Sequence, residues 1–377
     1  MKDVVEFVTV IVPIKNSERT LIKHLESIEN VDYPRDKFEV IYADGGSKDR
    51  TLEILKDWKN KRLPQIIIIE LNNCKSPGEA RNKALEIAKG KYILFTDADC
   101  VVKKDWIKQI ISPFEKDEKI GIVGGEIHTL TVEDGNDIEK YLEFIKFLSV
   151  NGRCNVRQEG YFPDIKKYLP HEVNGNIHSS FFATANLAVK KEALLKIGNK
   201  FWDEITGEDV DFNIRINKEG YKLYYLPSAI VYHIHRANLT QFRKQLYGYG
   251  YGHPLLIKKH AKQVLEICIN LKGKYIYLPI PFFIKGNIYL GSFHFIHIFL
   301  VLTILSLIFK WSVLSTIIFA FLTLLFKYIY FAPLLKLKPL SKFFKWCKIK
   351  YLSNLSFILG GIKGSFVFGA IDLEDSF

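Results

Sequence analysis

Two aspartates separated by one residue close an apolar run of the chain, Asp97 and Asp99 in YILFTDADC. Because side chains alternate along a strand, both carboxylates would point to one side of the chain at a sheet edge. Two like charges held close repel each other unless a cation lies between them. A hard divalent ion such as Mg²⁺ or Mn²⁺, shared with a diphosphate, suits this pair, and a solvated acidic turn is the alternative.

A basic residue near the start of a predicted helix could hold a phosphate. Ser76 is a suitable N-cap, Pro77 suits the first helical position, and Glu79 completes a capping box. Arg81 follows within this helix, where a guanidinium fork and free backbone N–H groups favour phosphate. A surface salt bridge is the alternative role for Arg81.

A third acidic residue, Asp44, ends another apolar run in ADGGSKDRT. Its carboxylate could accept hydrogen bonds from a nucleobase or a ribose, although Asx turns are common at strand ends. The two glycines that follow allow a ligand to approach the backbone closely. The loop does not match G-x-G-x-x-G or a Walker A motif, which disfavours a dinucleotide site or a P-loop.

Short apolar runs and helical patterns alternate over the first hundred residues. The runs Phe7–Pro13, Glu39–Ala43, Gln65–Glu70 and Tyr92–Thr96 are typical of parallel strands covered on both faces. With a helical pattern in every gap, they predict a βαβαβαβ arrangement, the Rossmann-like half of an α/β fold. Ligands bind such sheets outside the carboxyl ends of the strands. The polar residues at these ends are Asn16, Asp44, Asp97 and Asp99.

The distribution of charge separates the C-terminal third from the rest. The 377 residues carry a net charge of +12, and 48% of them are hydrophobic. Between Ile267 and Ile371 there is no acidic residue, while twelve lysines occur there. Because this basic part is also the most apolar, we expect its partner to be anionic membrane lipid rather than nucleic acid. Five widely spaced cysteines are too few for a disulfide scaffold.

Stretches in this third are long and apolar enough to cross a membrane. Tyr289 to Phe309 has 21 residues without a formal charge, and a span needs about 20. Ser312 to Pro333 is a second predicted span, interrupted only by Lys327. The six lysines between Leu334 and Lys350 indicate a cytoplasmic segment by the positive-inside rule. Leu352 to Ile371 suits either a third span or a re-entrant helix.

Five motifs, in order along the chain, are similar to those of a known family. They are TVIVPIKN, ADGGSKDRT, GEARNKALEIAKGKYILFTDADC, FFATANLAVKKEAL and FWDEITGEDVDFNIRINKEGYKL. Over about residues 7–250 the chain resembles the family 2 glycosyltransferases of the GT-A fold. In the D-D-G-S-x-D element of that family, Asp44 has the first Asp position and Gly45 replaces the second.

This resemblance implies a GT-A mixed sheet flanked by helices, a nucleotide-diphosphate sugar donor, and Mg²⁺ or Mn²⁺ as cofactor. The implied donor-binding residues are Pro13, Asn16, Asp44, Arg81, Asp97 and Asn186. The implied metal ligands are Asp97, Asp99 and His233, although a histidine such as His233 is often a structural hydrogen-bonder. For Asn186, a turn or cap role is as open as a hydrogen bond to a sugar hydroxyl.

The acidic pair Glu208-Asp209 begins a helical pattern in the last of these motifs. Inversion at an anomeric carbon in one step needs a base that removes the acceptor proton while a metal neutralises the departing diphosphate. We expect Asp209 to be this base, and Glu208 to orient the site or the acceptor. The alternative is an acidic helix N-terminus that interacts with the helix dipole.

We therefore predict an inverting enzyme that moves a single sugar to a lipid-linked acceptor at the cytoplasmic membrane face. The acceptor would be a polyprenyl phosphate or a saccharide linked to polyprenyl diphosphate. A processive polysaccharide synthase is an alternative, but QFRKQ at 241–245 lacks the Trp of the Q-x-x-R-W motif of those enzymes. A non-catalytic membrane scaffold and a nucleotidyltransferase are further alternatives.

Three segments follow from these patterns. We expect a GT-A catalytic domain at 1–253, an amphipathic interfacial linker at 254–288, and a membrane domain at 289–377. Core helices of a large soluble domain are the alternative for the last segment. Three tyrosines alternate with glycines in YGYGYG at 247–252, and they could either lie at the membrane interface and guide the acceptor or pack in a core.

Overall fold

The computed structural model describes residues 5–61, 65–72, 74–133, 135–162, 181–261, 263–271, 274–281 and 284–374. The chain forms two compact units. The first comprises the described residues up to His235, and the second begins at Arg236. The predicted alternation of strands and helices lies in the first unit, and the apolar C-terminal third lies in the second.

The first unit is built on a nine-stranded sheet. Its strands are β1 (Val8–Ile14), β2 (Phe38–Asp44), β3 (Gln65–Glu70), β4 (Tyr92–Phe95), β5 (Cys100–Val102), β6 (Ile120–Thr129), β7 (Gly160–Phe162), β8 (Leu187–Lys190) and β9 (Lys222–His233). Its helices are α1 (Glu18–Glu29), α2 (Thr51–Lys61), α3 (Pro77–Leu85), α4 (Trp106–Ile111), α5 (Pro113–Lys116), α6 (Asp137–Phe144), α7 (Val150–Cys154), α8 (Lys191–Lys196) and α9 (Glu208–Lys218). The strand order is β3-β2-β1-β4-β8-β6-β9-β5, and β7 pairs with β9.

The four predicted strands are confirmed, and they form the parallel half of this sheet. β1 lies between β2 and β4, and β3 lies outside β2, with all of these pairs parallel. β1 and β2 are buried along almost their whole length, which explains their continuous apolar sequences. β8 is antiparallel to both β4 and β6, so the sheet is mixed. A mixed sheet flanked by helices confirms the predicted fold class.

Helix α3 begins where its sequence predicts. Ser76 Oγ accepts a hydrogen bond from the Glu79 N–H at 3.2 Å, and Glu79 Oε2 accepts one from the Lys75 N–H at 2.8 Å. These bonds satisfy N–H groups that the helix itself leaves without partners. The chain then returns to β4 through Gly90, where a Cβ atom would lie 2.4 Å from the Thr9 nitrogen. A residue with a side chain would therefore push α3 and β4 away from β1.

The second unit contains a small sheet and four helices that the structure describes. The strands are β10 (Val264–Leu271), β11 (Lys274–Pro281), β12 (Gly286–Leu290) and β13 (Ile371–Leu373), in the order β11-β10-β12-β13. The helices are α10 (Leu239–His260), α11 (Ser292–Ile308), α12 (Val313–Phe331) and α13 (Leu340–Phe368).

Two regions of the second unit differ from the sequence-based expectation. At 254–288, where we expected an amphipathic linker, α10 ends and three strands follow. The predicted span at 289–309 starts later, because Tyr289 and Leu290 belong to β12 and pair with β10. Its helix, α11, therefore has 17 residues.

One apolar helix among the described residues is long enough to cross a membrane. It covers Val313–Leu334, which is 22 residues, and it includes α12 and the turn that follows. α11 is equally apolar but shorter. The two helices pack through aromatic rings, with Phe326 4.8 Å from Phe295 and 5.6 Å from Phe299 between ring centroids. Most of the apolar side chains of α12 remain exposed.

The stretch at 352–371, expected as a third span or a re-entrant helix, is mostly the second half of the 29-residue helix α13. This half packs on α10 through glycines of both helices. A Cβ atom on Gly250 would lie 2.0 Å from the Phe357 carbonyl oxygen, and one on Gly360 would lie 2.1 Å from that of Tyr247. Close helix contact thus explains Gly250 of YGYGYG, while the role that we predicted for its tyrosines stays a prediction.

Candidate active site

The side chain of Arg81 joins two acidic residues from distant motifs. Its Nη1 lies 3.0 Å from Glu208 Oε1, and its Nη2 lies 3.0 Å from Asp97 Oδ1. The Arg81 side chain is 3% exposed, and its guanidinium lies 5.6 Å from the centroid of the Phe201 ring. The structure therefore shows that Arg81 forms a buried double ion pair and not the surface salt bridge that the sequence left as an alternative.

Three elements position these groups. Arg81 lies in the second turn of α3, Asp97 follows β4, and Glu208 is the first residue of α9. α3 and α9 can approach because Gly78 has no side chain. A Cβ atom there would lie 3.0 Å from the Trp202 carbonyl oxygen and 3.3 Å from Glu208 Cβ. The glycine of the GEARN motif thus brings the acidic start of α9 to the end of β4.

Asp97 lies in a cluster of charged groups. Burial raises the pKa of the Asp97 carboxyl, the Arg81 guanidinium opposes this rise, and the nearby charge of Asp99 adds to it. The Asp97–Asp99 repulsion that the sequence suggested is therefore present. A cation placed beside both carboxylates would relieve it.

A group of possible metal ligands that includes Asp99 lies where β5 pairs with β9. Cys100 lies opposite His233 in that pairing, and the Ile234 N–H donates to the Asp99 carbonyl oxygen at 2.8 Å. His233 Nε2 lies 3.3 Å from Asp99 Oδ1. One donor atom each from Asp99, Cys100 and His233 lie within 4.8 Å of one another.

The chemistry of this group fits a divalent cation. His233 is 6% exposed, and its Nδ1 has no hydrogen-bond partner among the described residues. Imidazole and carboxylate donors together suit Mn²⁺ or Zn²⁺, whereas Mg²⁺ prefers oxygen alone. Burial raises the pKa of the Cys100 thiol well above its usual value, which disfavours a thiolate ligand. Asp97, also predicted as a ligand, is held by Arg81 here, and its binding to a metal stays a prediction.

The predicted base lies beside this cluster. Burial and the charge of Glu208 raise the pKa of Asp209 to about 7, against the opposing influence of Arg81 and Arg153 and of the Val210 N–H. That N–H donates to Asp209 Oδ1 at 2.8 Å. A carboxyl that titrates near neutral pH can accept a proton and release it again under physiological conditions. The charge environment of Asp209 therefore suits a general base.

The polar residues at the ends of β1 and β2 both form hydrogen bonds with the loop that follows β2. Asn16 Oδ1 accepts from the Lys48 N–H at 2.8 Å, and the Asn16 N–H donates to Ser47 Oγ at 2.9 Å. Asp44 Oδ2 accepts from the N–H groups of Gly46 at 3.1 Å and Ser47 at 3.0 Å, and Ser47 Oγ donates to Asp44 Oδ1. The structure thus shows the turn that the sequence left open for Asp44. Donor contacts by Asp44, Asn16 and Pro13 stay predictions.

Asn186 requires a correction. We expected it to be able to contact a sugar, but it is 1% exposed and its polar atoms are used inside the fold. Its Oδ1 accepts from Trp106 Nε1, and its Nδ2 donates to the carbonyl oxygens of Glu126 and Ala229, all at 2.9 Å. Asn186 therefore joins the neighbourhood of β6, β9 and α4, and no N–H of its amide is left for a ligand.

Two residues near Asp209 were not among the predicted site residues. Arg153 in α7 donates to the Phe181 carbonyl oxygen at 2.6 Å and lies near enough to lower the pKa of Asp209. Asn213 holds Phe182 by two hydrogen bonds, of 3.1 and 3.0 Å, and donates a third to the Asp209 carbonyl oxygen at 2.7 Å. The spacing of Asn213, one turn after Asp209, was the available signal for it. No local sequence pattern indicated a role for Arg153.

Comparison with known proteins agrees with this geometry. Residues 9–184 match the family model described as Glycosyl transferase family 2, a range that includes Arg81, Asp97 and Asp99. These residues therefore form a domain of this family. The resemblance that the motifs showed is therefore confirmed over this domain, whose mixed α/β sheet is the one expected of the GT-A fold.

Several glycosyltransferases are similar to this chain in sequence. The dolichyl N-acetyl-alpha-D-glucosaminyl phosphate 3-beta-D-2,3-diacetamido-2,3-dideoxy-beta-D-glucuronosyltransferase of Methanococcus voltae is 27% identical over 263 residues, which are 69% of this chain and 76% of that protein. The poly(ribitol-phosphate) beta-N-acetylglucosaminyltransferase TarS of Staphylococcus aureus is 38% identical over 100 residues, 26% of this chain and 17% of TarS. A crystal structure of S. aureus TarS 1–349 has a TM-score of 0.48 at 18% identity, covering 68% of this chain and 66% of that one.

Proposed function

We propose that this glycosyltransferase moves a single sugar, with inversion, from a nucleotide-diphosphate sugar to a lipid-linked acceptor. The observation that carries the proposal is the position of Asp209, whose pKa is raised to about 7, next to Glu208 and hence to the Arg81–Asp97 pair. A base thus lies near groups that can hold a diphosphate and a cation.

In the proposed reaction with a saccharide acceptor, the Asp209 carboxylate accepts the proton of an acceptor hydroxyl, whereas the phosphate oxygen of a polyprenyl phosphate would attack in its ionised form. The hydroxyl oxygen then bonds to the anomeric carbon as the bond from that carbon to the diphosphate oxygen breaks, and the nucleoside diphosphate leaves with the bonding electrons. Attack opposite the leaving group inverts the anomeric configuration. Because Asp209 is half-buried beside Glu208, its carboxylate is more basic than one in water.

Arg81 and the candidate metal ligands would bind the diphosphate. The guanidinium of Arg81 is already desolvated, and its Nε, which has no hydrogen-bond partner among the described residues, could donate to a phosphate oxygen. Asp99 and His233, with Asp97 nearby, would hold Mg²⁺ or Mn²⁺, and the mixed donor set favours Mn²⁺. When bound, the cation supplies charge neutralisation for the departing diphosphate. Pro13, Asn16 and Asp44, at the carboxyl ends of β1 and β2, would contact the nucleoside.

The acceptor is proposed to be lipid-linked, a polyprenyl phosphate or a polyprenyl-diphosphate saccharide. The M. voltae relative carries a dolichyl phosphate saccharide in its name. The apolar helix at Val313–Leu334, with the lysine-rich segment that follows it, suits an anchor with a cytoplasmic positive end. We propose that α11 crosses with α12 as a multi-pass hairpin and that the catalytic part faces the cytoplasm. We keep 1–253 as the proposed catalytic domain and 289–377 as the proposed membrane domain, while 254–288 contains strands β10 to β12 in place of the expected linker.

The experiment is a transfer assay with the full chain in detergent. A panel of UDP-, GDP-, CDP- and dTDP-sugars is incubated with Mn²⁺ and with polyprenyl phosphate or a short polyprenyl-diphosphate saccharide, and the lipid products are weighed by mass spectrometry. We expect the mass of one added sugar and release of nucleoside diphosphate. A ladder of longer products would instead indicate a processive synthase, and pyrophosphate release a nucleotidyltransferase. Failure of every donor to react would reject the proposal in favour of a scaffold.

A further inference from the structure

A second group of metal-ligating side chains lies in the second unit, far in sequence from the residues discussed above. His253 belongs to α10, Asp372 to β13, and Glu374 follows β13 directly. His253 Nδ1 lies 3.8 Å from Asp372 Oδ2 and 3.7 Å from Glu374 Oε2. One donor atom from each residue lies within 4.8 Å of the others.

The interior of this cluster holds polar atoms without hydrogen bonds. The Asp372 side chain is 0% exposed, and neither of its carboxylate oxygens has a hydrogen-bond partner among the described residues. The same is true of His253 Nδ1 and of Asn287 Oδ1, and Asn287 is itself fully buried. A buried carboxylate without hydrogen bonds is costly and is usually paired or bound to a metal. A positively charged ligand would therefore stabilise this group of donor atoms.

An ion pair with His253 alone does not satisfy the cluster. Separations of 3.7 and 3.8 Å exceed the usual N–H···O distance. By contrast, an ion about 2.1 Å from each donor separates tetrahedral ligands by about 3.4 Å, which is close to what is seen.

The backbone presents these side chains from separate elements. In the parallel pairing of β12 with β13, Asn287 lies opposite Asp372. Asn287 Nδ2 donates to Glu374 Oε2 at 3.4 Å, which leaves its Oδ1 as a further possible ligand. On α13, a Cβ atom at Gly361 would lie 3.1 Å from Asp372 Oδ2, so the glycine leaves room beside that oxygen. A ligand here would connect α10 to the small sheet and to the end of the described chain.

We propose that His253, Asp372 and Glu374, with Asn287 as a fourth ligand, bind a divalent cation of the Zn²⁺ or Mn²⁺ type that stabilises the second unit. One imidazole, two carboxylates and one amide oxygen form a mixed N/O donor set that these ions accept. The two carboxylates balance the charge of the ion. The site is structural, and it needs neither the donor sugar nor the acceptor.

The test measures metal content and stability of the full chain in detergent. An Asp99→Asn/His233→Gln background removes the candidate metal ligands of the first unit, so that only the second site is counted. After stripping with a chelator and dialysis against Zn²⁺ or Mn²⁺, we expect one equivalent of metal by plasma mass spectrometry and a raised thermal midpoint. His253→Gln should weaken binding at least about tenfold, whereas His260→Gln, on the same helix, should not.

The Asp372→Asn variant distinguishes loss of metal binding from a folding defect. In metal-free protein, removal of an uncompensated buried charge should leave the thermal midpoint unchanged or higher. With metal present, the same variant should lack the increase that the parent shows. Absence of metal uptake and of any midpoint increase in the parent with both ions would overturn the proposal. Equal metal content in the parent and in His253→Gln would overturn it as well.

Discussion

Arg81 and Glu208 form an ion pair of 3.0 Å between the helix that follows β3 and the helix that follows the FWDEITG segment. The same guanidinium binds Asp97 at 3.0 Å. Arg81 is 3% exposed, so water contributes little to the stabilisation of the two carboxylates. The guanidinium neutralises them instead. One residue therefore links the groups that we assign to the diphosphate with those that we assign to the acceptor.

Loss of Arg81 should destabilise the first unit. Arg81→Ala leaves both carboxylates without their cation, and breaking a buried pair of this kind costs about 3 kcal/mol. We expect the thermal midpoint in detergent to fall by several degrees. Arg50→Ala is the matched control, because Arg50 pairs with Glu53 at 3.0 Å but is 70% exposed. Equal midpoints for the two variants would contradict the structural role of Arg81.

The Asp209→Asn variant should fold normally but lose transfer activity. An amide cannot accept the acceptor proton, and loss of a general base typically lowers kcat by about 10²–10⁴-fold. Nucleotide affinity, measured by calorimetry, should change little, because Asp209 is assigned to the acceptor. Glu204→Gln, an exposed acidic residue just before α9, serves as control and should retain full activity. A kcat within threefold of wild type for Asp209→Asn would exclude it as the base.

The pH dependence of transfer should follow the ionisation of Asp209. The base acts only when deprotonated, and its pKa is raised to about 7, so kcat/KM should increase as the pH rises through about 7. Glu208→Gln removes a neighbouring negative charge that raises this pKa. The ascending limb should therefore move to lower pH in that variant, whatever happens to the maximal rate. A limb that stays in place would mean that a different group titrates.

Variants of the residues at the β5–β9 pairing should differ in the Mn²⁺ concentration that they need for activity. Asp99→Asn and His233→Gln each remove a donor, and we expect the concentration of Mn²⁺ that gives half-maximal activity to rise at least about tenfold. Cys100→Ala should change it by no more than about threefold, because burial raises the pKa of that thiol and keeps it protonated. Equal effects from all three variants would indicate a general loss of structure rather than loss of ligands.

The contact between α10 and α13 should distinguish two neighbouring glycines. An added Cβ at Gly250 would lie 2.0 Å from the Phe357 carbonyl oxygen, whereas at Gly248 it would meet nothing within 4 Å. Gly250→Ala should therefore destabilise the protein by about 1–3 kcal/mol through overpacking. Gly248→Ala should stabilise α10 by up to about 1 kcal/mol, since alanine is the better helix former. Thermal unfolding of the two variants checks both signs, and a stabilising Gly250→Ala would contradict the close contact.

Local sequence patterns were sufficient for the parallel half of the sheet and for the capped helix α3. Those elements are specified by residues close in sequence, such as the buried runs of β1 and β2 and the Ser76–Glu79 cap. The same patterns identified Arg81, Asp97 and Glu208 as site residues, but only the three-dimensional fold shows that they contact one another. The small sheet of the second unit was missed because its strands are short and apolar and lysines flank them in the sequence, a pattern that also suits a membrane-surface segment.

Other features depend on contacts that no local pattern contains. Asn186 looked available for a sugar, yet its amide is used by Trp106 and by two carbonyl oxygens brought in by β6 and β9. His253 and Asp372 meet only because β13 adds to a sheet begun a hundred residues earlier. Such long-range pairings follow from tertiary structure, so the sequence could suggest the residue types but not their partners.

The most direct test of the proposed chemistry is the anomeric configuration of the first product. Transfer from an α-linked nucleotide sugar with Mn²⁺ can be followed by NMR from the earliest time points, for the wild type and for Asp209→Asn. One-step displacement with Asp209 as base predicts a β-linked product from the wild type and almost none from the variant. An α-linked product, or undiminished transfer by Asp209→Asn, would contradict the assigned mechanism.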